Sequence, residues 1–158
     1  MSLTVYLSGP ITGQTFEKAE DWRTETASRL RAAGFHVLDP LRGKSFLSHQ
    51  VKPIGDKPYP RSNPTLSDKA LLRRDKLDVL SSNIVLVNLT DTQQVSIGTM
   101  FEIAWAEDHN KLVIVALPKD SPFHNHAFVR ESAVIFSTLD EAVRYAISCG
   151  VEWIENDN

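Results

Sequence analysis

The chain has few or none of the features on which several classes of protein depend. Its 158 residues include a single cysteine, Cys149, so an intrachain disulfide and a cysteine-rich zinc site are both excluded. No segment approaches the roughly 20 consecutive apolar residues of a membrane-spanning helix. A charged N-terminal segment followed by an apolar one, which would mark a secretory signal, is also missing. We therefore expect a cytoplasmic protein, with no membrane partner, folded as one domain over residues 1–158.

An excess of positive charge is missing as well. The 17 Lys and Arg residues are outnumbered by 20 Asp and Glu residues, which gives a net charge of −3. Proteins that bind duplex nucleic acid contact many phosphates and are usually basic. The charge balance therefore argues against a nucleic-acid partner and favours a small-molecule ligand.

Motifs of common cofactor and hydrolase sites are incomplete or absent. Gly9 and Gly13 lack the third glycine of a dinucleotide-binding fingerprint, and Gly43-Lys44-Ser45 lacks the first glycine of a phosphate-binding loop. The Gly-x-Ser-x-Gly motif of many serine hydrolases does not occur. His124 and His126 have no cysteine or acidic residue at metal-ligand spacing. We therefore expect neither an organic cofactor nor a bound metal.

Apolar runs alternate with segments of helical period along the chain. The runs predict strands at 4–7, 35–38, 84–89, 112–116 and 134–136. The periodic segments predict helices at 16–33, 68–80, 99–108 and 139–148. This alternation predicts an α/β fold: a flavodoxin-like, doubly wound sheet of five parallel strands in the order 2-1-3-4-5, with helices on both faces. Ligands of such sheets bind outside the carboxyl ends of the strands, here between the first and third strands.

Segment 40–64 has no regular period. It holds five of the eight prolines, and its basic residues outnumber its one acid, Asp56. Long loops in compact domains are usually functional or disordered. Two interpretations stay open: a solvated loop, or a lid that attracts a small anionic ligand.

Glu102 is the one charged residue in the otherwise uncharged helical stretch 98–106. A helix that begins near Thr99 would place Glu102 in its first turn, beside the predicted crevice. Glu102 could form a capping box with Thr99, or it could be a reactive group of the crevice. Spacing alone does not favour either interpretation.

Three segments are expected to meet at this crevice: Tyr6-Leu7-Ser8-Gly9-Pro10, the helix around Asp75, and Ser96-Ile97-Gly98-Thr99-Met100-Phe101-Glu102. Together they resemble the nucleoside 2-deoxyribosyltransferase superfamily, which includes the nucleoside 5′-monophosphate N-glycosidases. The resemblance extends from Thr4 to about Ala116, and the segment that contains Glu102 is its most specific part.

The resemblance implies a role for each matched side chain. Glu102 is expected to attack the anomeric carbon of the sugar and expel the base, while the Tyr6 hydroxyl holds its carboxylate. Asp75 is expected to orient Glu102 or to assist the base. Asp78, nearly one helical turn further along, is the alternative match to this acid of the family. An ionised carboxylate suits this reaction because departure of the base develops positive charge on the sugar. Further expected substrate contacts are Ser8, Gly9, Pro10, Asn88 and Gly98.

Ser96 favours the branch of the superfamily that acts on monophosphates. The transferases usually carry an acid six residues before the nucleophile, whereas the monophosphate hydrolases carry a serine there. Backbone amides at the start of the following helix would add donors for a phosphate. The hydrolase branch also implies at least a homodimer, in which a serine of the neighbouring subunit meets the phosphate, and Ser132 is the candidate.

The sequence therefore favours an enzyme that cleaves the N-glycosidic bond of nucleoside or 2′-deoxynucleoside 5′-monophosphates through Glu102. A nucleoside 2′-deoxyribosyltransferase, which exchanges bases between nucleosides, is the first alternative. The second is a nucleotide-binding module without catalysis, because a fold does not determine chemistry.

Overall fold

The computed structural model describes residues 2–49, 52–55, 59 and 62–150. Five strands pair in parallel in one sheet, in the order β2-β1-β3-β4-β5, which confirms the predicted α/β class and strand order. The strands are β1 (Thr4–Ser8), β2 (His36–Leu38), β3 (Ile84–Asn88), β4 (Leu112–Ala116) and β5 (Val134–Phe136).

Helices cover both faces of the sheet. They are α1 (Phe16–Ala32), α2 (Asp68–Ser81), α3 (Ile97–Asp108), α4 (Ala127–Glu131) and α5 (Leu139–Ser148). Successive residues of a strand point to opposite faces, and β1 divides the core accordingly. Val5 and Leu7 pack with α1 and α5, whereas Tyr6 packs with α2, α3 and α4. None of the helices in the described ranges is long and apolar enough to span a bilayer.

Two helices differ from the sequence prediction. Helix α3 begins at Ile97, two residues before the predicted start, with Ser96 as its N-cap. Helix α4 was not predicted, because it has only five residues and these are too few to show a helical period.

Segment 40–64 is partly packed against the body of the protein. A 3-10 turn spans Ser45–His49, and its Leu47 is buried with Phe16 and Ile54. Backbone hydrogen bonds join Ile54 to Gly13, at 2.8 Å, and to Gln14, at 2.7 Å, in the loop after β1. The basic residues Lys57 and Arg61 of this segment lie outside the described residues. The predicted role as a lid stays a prediction.

The chain turns sharply where it leaves β1. A Cβ atom on Gly9 would lie 2.9 Å from Cζ2 of Trp22 and 3.0 Å from the carbonyl oxygen of Asn88. A glycine is therefore needed at this point, and it lets the following loop pass close to the end of β3. That loop forms one wall of the cavity described next.

Candidate active site

A polar cavity of about 430 Å³ opens beside the carboxyl ends of β1 and β3. This is the switch point at which parallel α/β sheets bind their ligands. Four parts of the chain line the cavity: the loop after β1, the beginning of α3 with the residues before it, Asp75 of α2, and segment 40–64 through Lys44 and Tyr59. The carboxylate of Glu102 also lines it.

Two hydroxyl groups of β1 hold the Glu102 carboxylate. The Tyr6 hydroxyl donates to Oε1 at 2.7 Å, and the Ser8 hydroxyl donates to Oε2. All three side chains are buried. Tyr6, which was expected to hold Glu102, contacts its carboxylate, and so does Ser8, which was expected to contact substrate.

The capping-box interpretation of Glu102 is wrong. Ser96, and not Thr99, is the N-cap of α3, and its side chain accepts the backbone N–H of Thr99. Ser96 lies three residues before that amide, the spacing that an N-cap side chain needs. Glu102 therefore does not cap its own helix, and its two carboxylate oxygens accept hydrogen bonds from side chains of β1.

The surroundings of Glu102 place its ionisation near neutral pH. Burial raises its pKa from an ordinary value of 4.5 to about 7, against the lowering effect of the bonds from Ser8 and Tyr6. Asp75 raises this pKa further and the Arg23 guanidinium lowers it. The pKa of Tyr6 is raised, first by burial and then by Glu102, so Tyr6 remains a hydrogen-bond donor. A carboxylate with such a shifted pKa in a cleft is typical of a functional site.

Arg23 is a buried cation behind the site that sequence reasoning missed. Its Nη2 donates to the carbonyl oxygen of Gly9 at 2.8 Å, and its Nε lies 3.8 Å from Oδ1 of Asp39. Burial lowers its pKa. A signal was present: Arg23 lies four residues after Ala19 and four before Ala27, on the buried face of α1.

Asp75, and not Asp78, lies at the cavity. Nη2 of Arg74 pairs with Asp75 at 2.8 Å and also donates to the carbonyl oxygen of Pro40 at 2.8 Å. Asp78 pairs with Arg42 at 2.5 Å and does not line the cavity. The geometry therefore favours Asp75 as the second carboxylate near Glu102.

Ser96 and Gly98, two of the expected substrate contacts, line the cavity from the beginning of α3. His124, which the sequence analysis considered only as a metal ligand, contacts this turn. The Ser96 N–H donates to Nε2 of His124 at 3.1 Å, and Nδ1 lies 3.4 Å from the Thr92 hydroxyl. Burial lowers the pKa of His124, which favours the neutral ring that can accept this bond.

Lys44 is the second cation that sequence reasoning missed as a site residue. It is only 2% exposed, although it lines the cavity, and its Nζ lies 5.0 Å from the centre of the Tyr59 ring. Burial, the largest effect, lowers its pKa to about 8. In the sequence it was one of several basic residues in a segment without a period, and its one local signal, the incomplete motif Gly43-Lys44-Ser45, was set aside because the first glycine is missing.

Gly9 and Pro10 line the cavity, but two predicted contacts do not. Oδ1 of Asn88 accepts bonds from the amide and the hydroxyl of Thr90, at 3.1 and 2.7 Å, and Asn88 borders a neighbouring pocket. The Ser132 hydroxyl donates to the carbonyl oxygen of Phe128 and lies in a separate apolar groove. Within one chain the structure brings neither residue to Glu102.

Comparison with known proteins places the chain in a family. The family model described as nucleoside 2-deoxyribosyltransferase matches residues 5–152, nearly the whole chain. No curated protein sequence matches the chain.

Solved structures of similar fold include two enzymes. A CMP N-glycosidase from Clostridium botulinum has 15% sequence identity and a TM-score of 0.57, with 90% of this chain and 96% of that chain covered. A 2-deoxyribosyltransferase from Bacillus psychrosaccharolyticus has 15% identity and a TM-score of 0.63, over 90% and 91% of the two chains. A molybdenum cofactor binding protein from Rippkaea orientalis is also similar, at 15% identity and a TM-score of 0.56, over 94% and 98%. At these identities the likeness shows the fold alone.

Proposed function

Because the chain belongs to the nucleoside 2-deoxyribosyltransferase family, we propose that it hydrolyses the N-glycosidic bond of nucleoside or 2′-deoxynucleoside 5′-monophosphates. The arrangement of Glu102 is the observation that supports this most. Its carboxylate lines a polar cavity at the strand ends, two hydroxyls orient it, and its own helix does not use it as a cap.

The reaction has two steps. An oxygen of the Glu102 carboxylate attacks the anomeric carbon, and the electron pair of the broken C–N bond leaves with the base. Water then attacks the glycosyl ester, which frees the sugar phosphate and restores the carboxylate. Tyr6 and Ser8 each donate to a different oxygen of Glu102, so they fix the plane of the carboxylate during both steps.

The beginning of α3 is the proposed site for the substrate's phosphate. Ser96 and Gly98 line the cavity there, and the first backbone N–H groups of a helix attract anions. Ser96 replaces the acid expected of a transferase, which removes a negative charge that would repel a phosphate. This difference favours a monophosphate over an unphosphorylated nucleoside.

The test is release of free base from a panel of nucleosides and their 5′-monophosphates. We expect release from monophosphates, and a loss of at least about 10³-fold for Glu102→Gln, since removal of the nucleophile abolishes the covalent route. The control is Glu25→Gln, which changes an exposed glutamate of α1 and should keep full activity. Release that survives in Glu102→Gln would contradict the proposal.

Two other functions predict different outcomes of the same assay. A 2′-deoxyribosyltransferase would act on unphosphorylated nucleosides and would need an added acceptor base, in line with the family's description. A binding module would bind a nucleotide and release no base; a molybdenum cofactor binding protein is among the proteins of similar fold.

We also propose that the protein forms a homodimer through an apolar groove next to the cavity. The groove has a volume of about 950 Å³, and Val95 lines both it and the cavity. Phe128 is 79% exposed at its edge, while Met100 and Trp105 lie in its wall. A projecting aromatic ring and an apolar groove on one face are self-complementary, as a twofold interface requires. Ser132 also lines the groove, so a second copy could bring it towards the phosphate of its partner.

A further inference from the structure

Lys44 is a buried lysine that the proposed reaction leaves without a role. It is among the most buried charged side chains of the protein, and it lines the same cavity as Glu102. Within the described ranges, its Nζ has no carboxylate within 4.0 Å. Burial of a charged side chain is costly, and a titratable residue in a cleft whose pKa is shifted by burial is a candidate functional residue.

Its neighbours define the part of the cavity in which Lys44 lies. The Tyr59 ring is 5.0 Å away, Asp75 and Glu102 favour the charged form, and the cations Arg74 and Arg23 disfavour it. Ser96 and Gly98 belong to a different element, the beginning of α3. Lys44, Tyr59 and Asp75 line the cavity from other parts of the chain. With the phosphate proposed at α3 and the anomeric carbon at Glu102, these three residues are the ones we expect beside the base.

We propose that Lys44 is the catalytic acid that protonates the departing base, and that the Tyr59 ring flanks the plane of the heterocycle. This inference rests on the proposed function. The acceptor is a ring nitrogen or carbonyl oxygen of the base, where negative charge accumulates as the C–N bond breaks. A Lys ammonium has three donors and no acceptor, so it suits this position.

The protons balance over the two steps. In the first step Glu102 bonds to the anomeric carbon, the C–N bond breaks, and one proton passes from Lys44 to the base. In the second step water adds to the anomeric carbon, and its released proton returns to the Lys44 amine. The enzyme thus regains its starting carboxylate and ammonium without any further reactant.

Asp75 is less suited to this role. Its Oδ1 accepts hydrogen bonds from Nε and Nη2 of Arg74, at 3.0 and 2.8 Å, so this oxygen is already in use as an acceptor. Lys44 has the opposite advantage, because its pKa of about 8 keeps it protonated at neutral pH yet able to give up a proton.

The first test varies the acidity of the leaving base. Monophosphates of natural pyrimidines are compared with their 5-fluoro analogues, whose bases leave more readily without protonation. We expect Lys44→Met to lower kcat by roughly 10²–10⁴-fold for natural bases, as for other general acids, and by less for the fluorinated ones. An equal loss for both would overturn the proposal. The control is Lys119→Met, which changes an exposed lysine outside this segment and should keep full activity.

The second test uses pH and chemical rescue. For the unmodified enzyme, kcat/KM should fall above about pH 8, as Lys44 loses its proton. Lys44→Met should lack this alkaline limb, and methylammonium added to Lys44→Ala should restore part of the activity. Lys44→Arg keeps the charge but cannot give up a proton at these pH values, so its kcat should stay low. Full activity in Lys44→Arg, or absence of rescue in folded Lys44→Ala, would overturn the proposal.

The outcomes separate this inference from the proposed function. If the unmodified protein releases no base from any monophosphate, the proposed function itself is wrong. If it releases base and Lys44→Met does so equally well, only the role of Lys44 is wrong.

Discussion

The Glu102 carboxylate is subject to two opposing effects at the scale of a single residue. Burial favours its neutral form, while the hydroxyls of Tyr6 and Ser8 and the charge of Arg23 favour the ionised form. The result is a pKa of about 7 for Glu102. At neutral pH, a substantial fraction of the molecules therefore has this carboxylate ionised. A nucleophile needs the ionised form, and a less solvated carboxylate is also more reactive.

The hydrogen bond from Tyr6 is predicted to set the acid limb of the pH profile. Tyr6→Phe removes one bond that lowers the pKa of Glu102, so the midpoint of this limb should rise by roughly one pH unit. Measurement of kcat/KM from pH 5 to pH 9 checks this. Tyr145→Phe, a half-buried tyrosine of α5, is the control and should keep the original profile. An unchanged acid limb in Tyr6→Phe would show that its hydroxyl does not act on Glu102.

The raised pKa of Glu102 also predicts a cost in stability. The pKa of Glu102 is about 7 in the folded protein and 4.5 ordinarily. The free energy of unfolding therefore falls as the pH rises from 4.5 to 7. Glu102→Gln should therefore have the higher free energy of unfolding above pH 7, by at most about 3 kcal/mol, and a similar one near pH 4. Urea unfolding at both pH values, with Glu25→Gln as control, measures the difference. Equal stabilities at pH 8 would contradict the raised pKa.

At the scale of an element, the start of α3 shows where local signals become ambiguous. Ser96 and Thr99 are both good N-cap residues, and the sequence analysis chose Thr99. The structure begins the helix at Ile97 because Ser96 takes the cap position, where its own amide meets Nε2 of His124. The residue that supports this cap lies 28 positions further along, beyond the reach of a local pattern.

His124 is predicted to position the phosphate site through this bond. His124→Phe would leave the Ser96 N–H without its acceptor, so KM for a monophosphate should rise roughly tenfold, as expected for loss of one hydrogen bond, with little change in kcat. His124→Gln offers a carbonyl oxygen in place of Nε2 and should restore much of the affinity. Steady-state kinetics of both variants are the measurement. Equal KM values for the two variants would indicate that His124 only fills space.

The strands and the long helices were predictable, and the short helical segments were not. Apolar runs of strand length located all five strands, and helical periods located α1, α2, α3 and α5. Helix α4 and the turn at Ser45–His49 have five residues each, too few to show a period, so both were missed.

At the scale of the whole molecule, topology followed from the sequence but much of the cavity wall did not. Alternating strands and helices with right-handed crossovers leave few arrangements, and the predicted order 2-1-3-4-5 is the observed one. Family motifs likewise indicated Tyr6, Asp75 and Glu102. Lys44 belongs to none of them, and it reaches the cavity only because its segment packs against the loop after β1. Such placements depend on tertiary contacts that no motif encodes.

The apolar groove leads to the last prediction, which concerns assembly. Phe128→Asp should convert the proposed dimer to a monomer. Its carboxylate would replace the exposed ring, and the dimer interface would bury this charge without a partner. Light scattering after gel filtration measures the mass. Leu77→Asp is the control, since Leu77 is exposed on α2 outside the groove, and it should stay dimeric. A monomeric unmodified protein would contradict the proposal.

If subunits share sites, two weakened variants should complement each other. Ser132→Ala should bind monophosphates poorly, and Glu102→Gln should be inactive. In a mixed dimer, one site combines the intact Glu102 of one subunit with the intact Ser132 of the other, while the second site carries both substitutions. Random exchange places half of the subunits in mixed dimers, so roughly a quarter of the unmodified activity should return. A mixture no more active than the average of its parts would mean that Ser132 serves only its own chain, where it lies in the groove and away from Glu102.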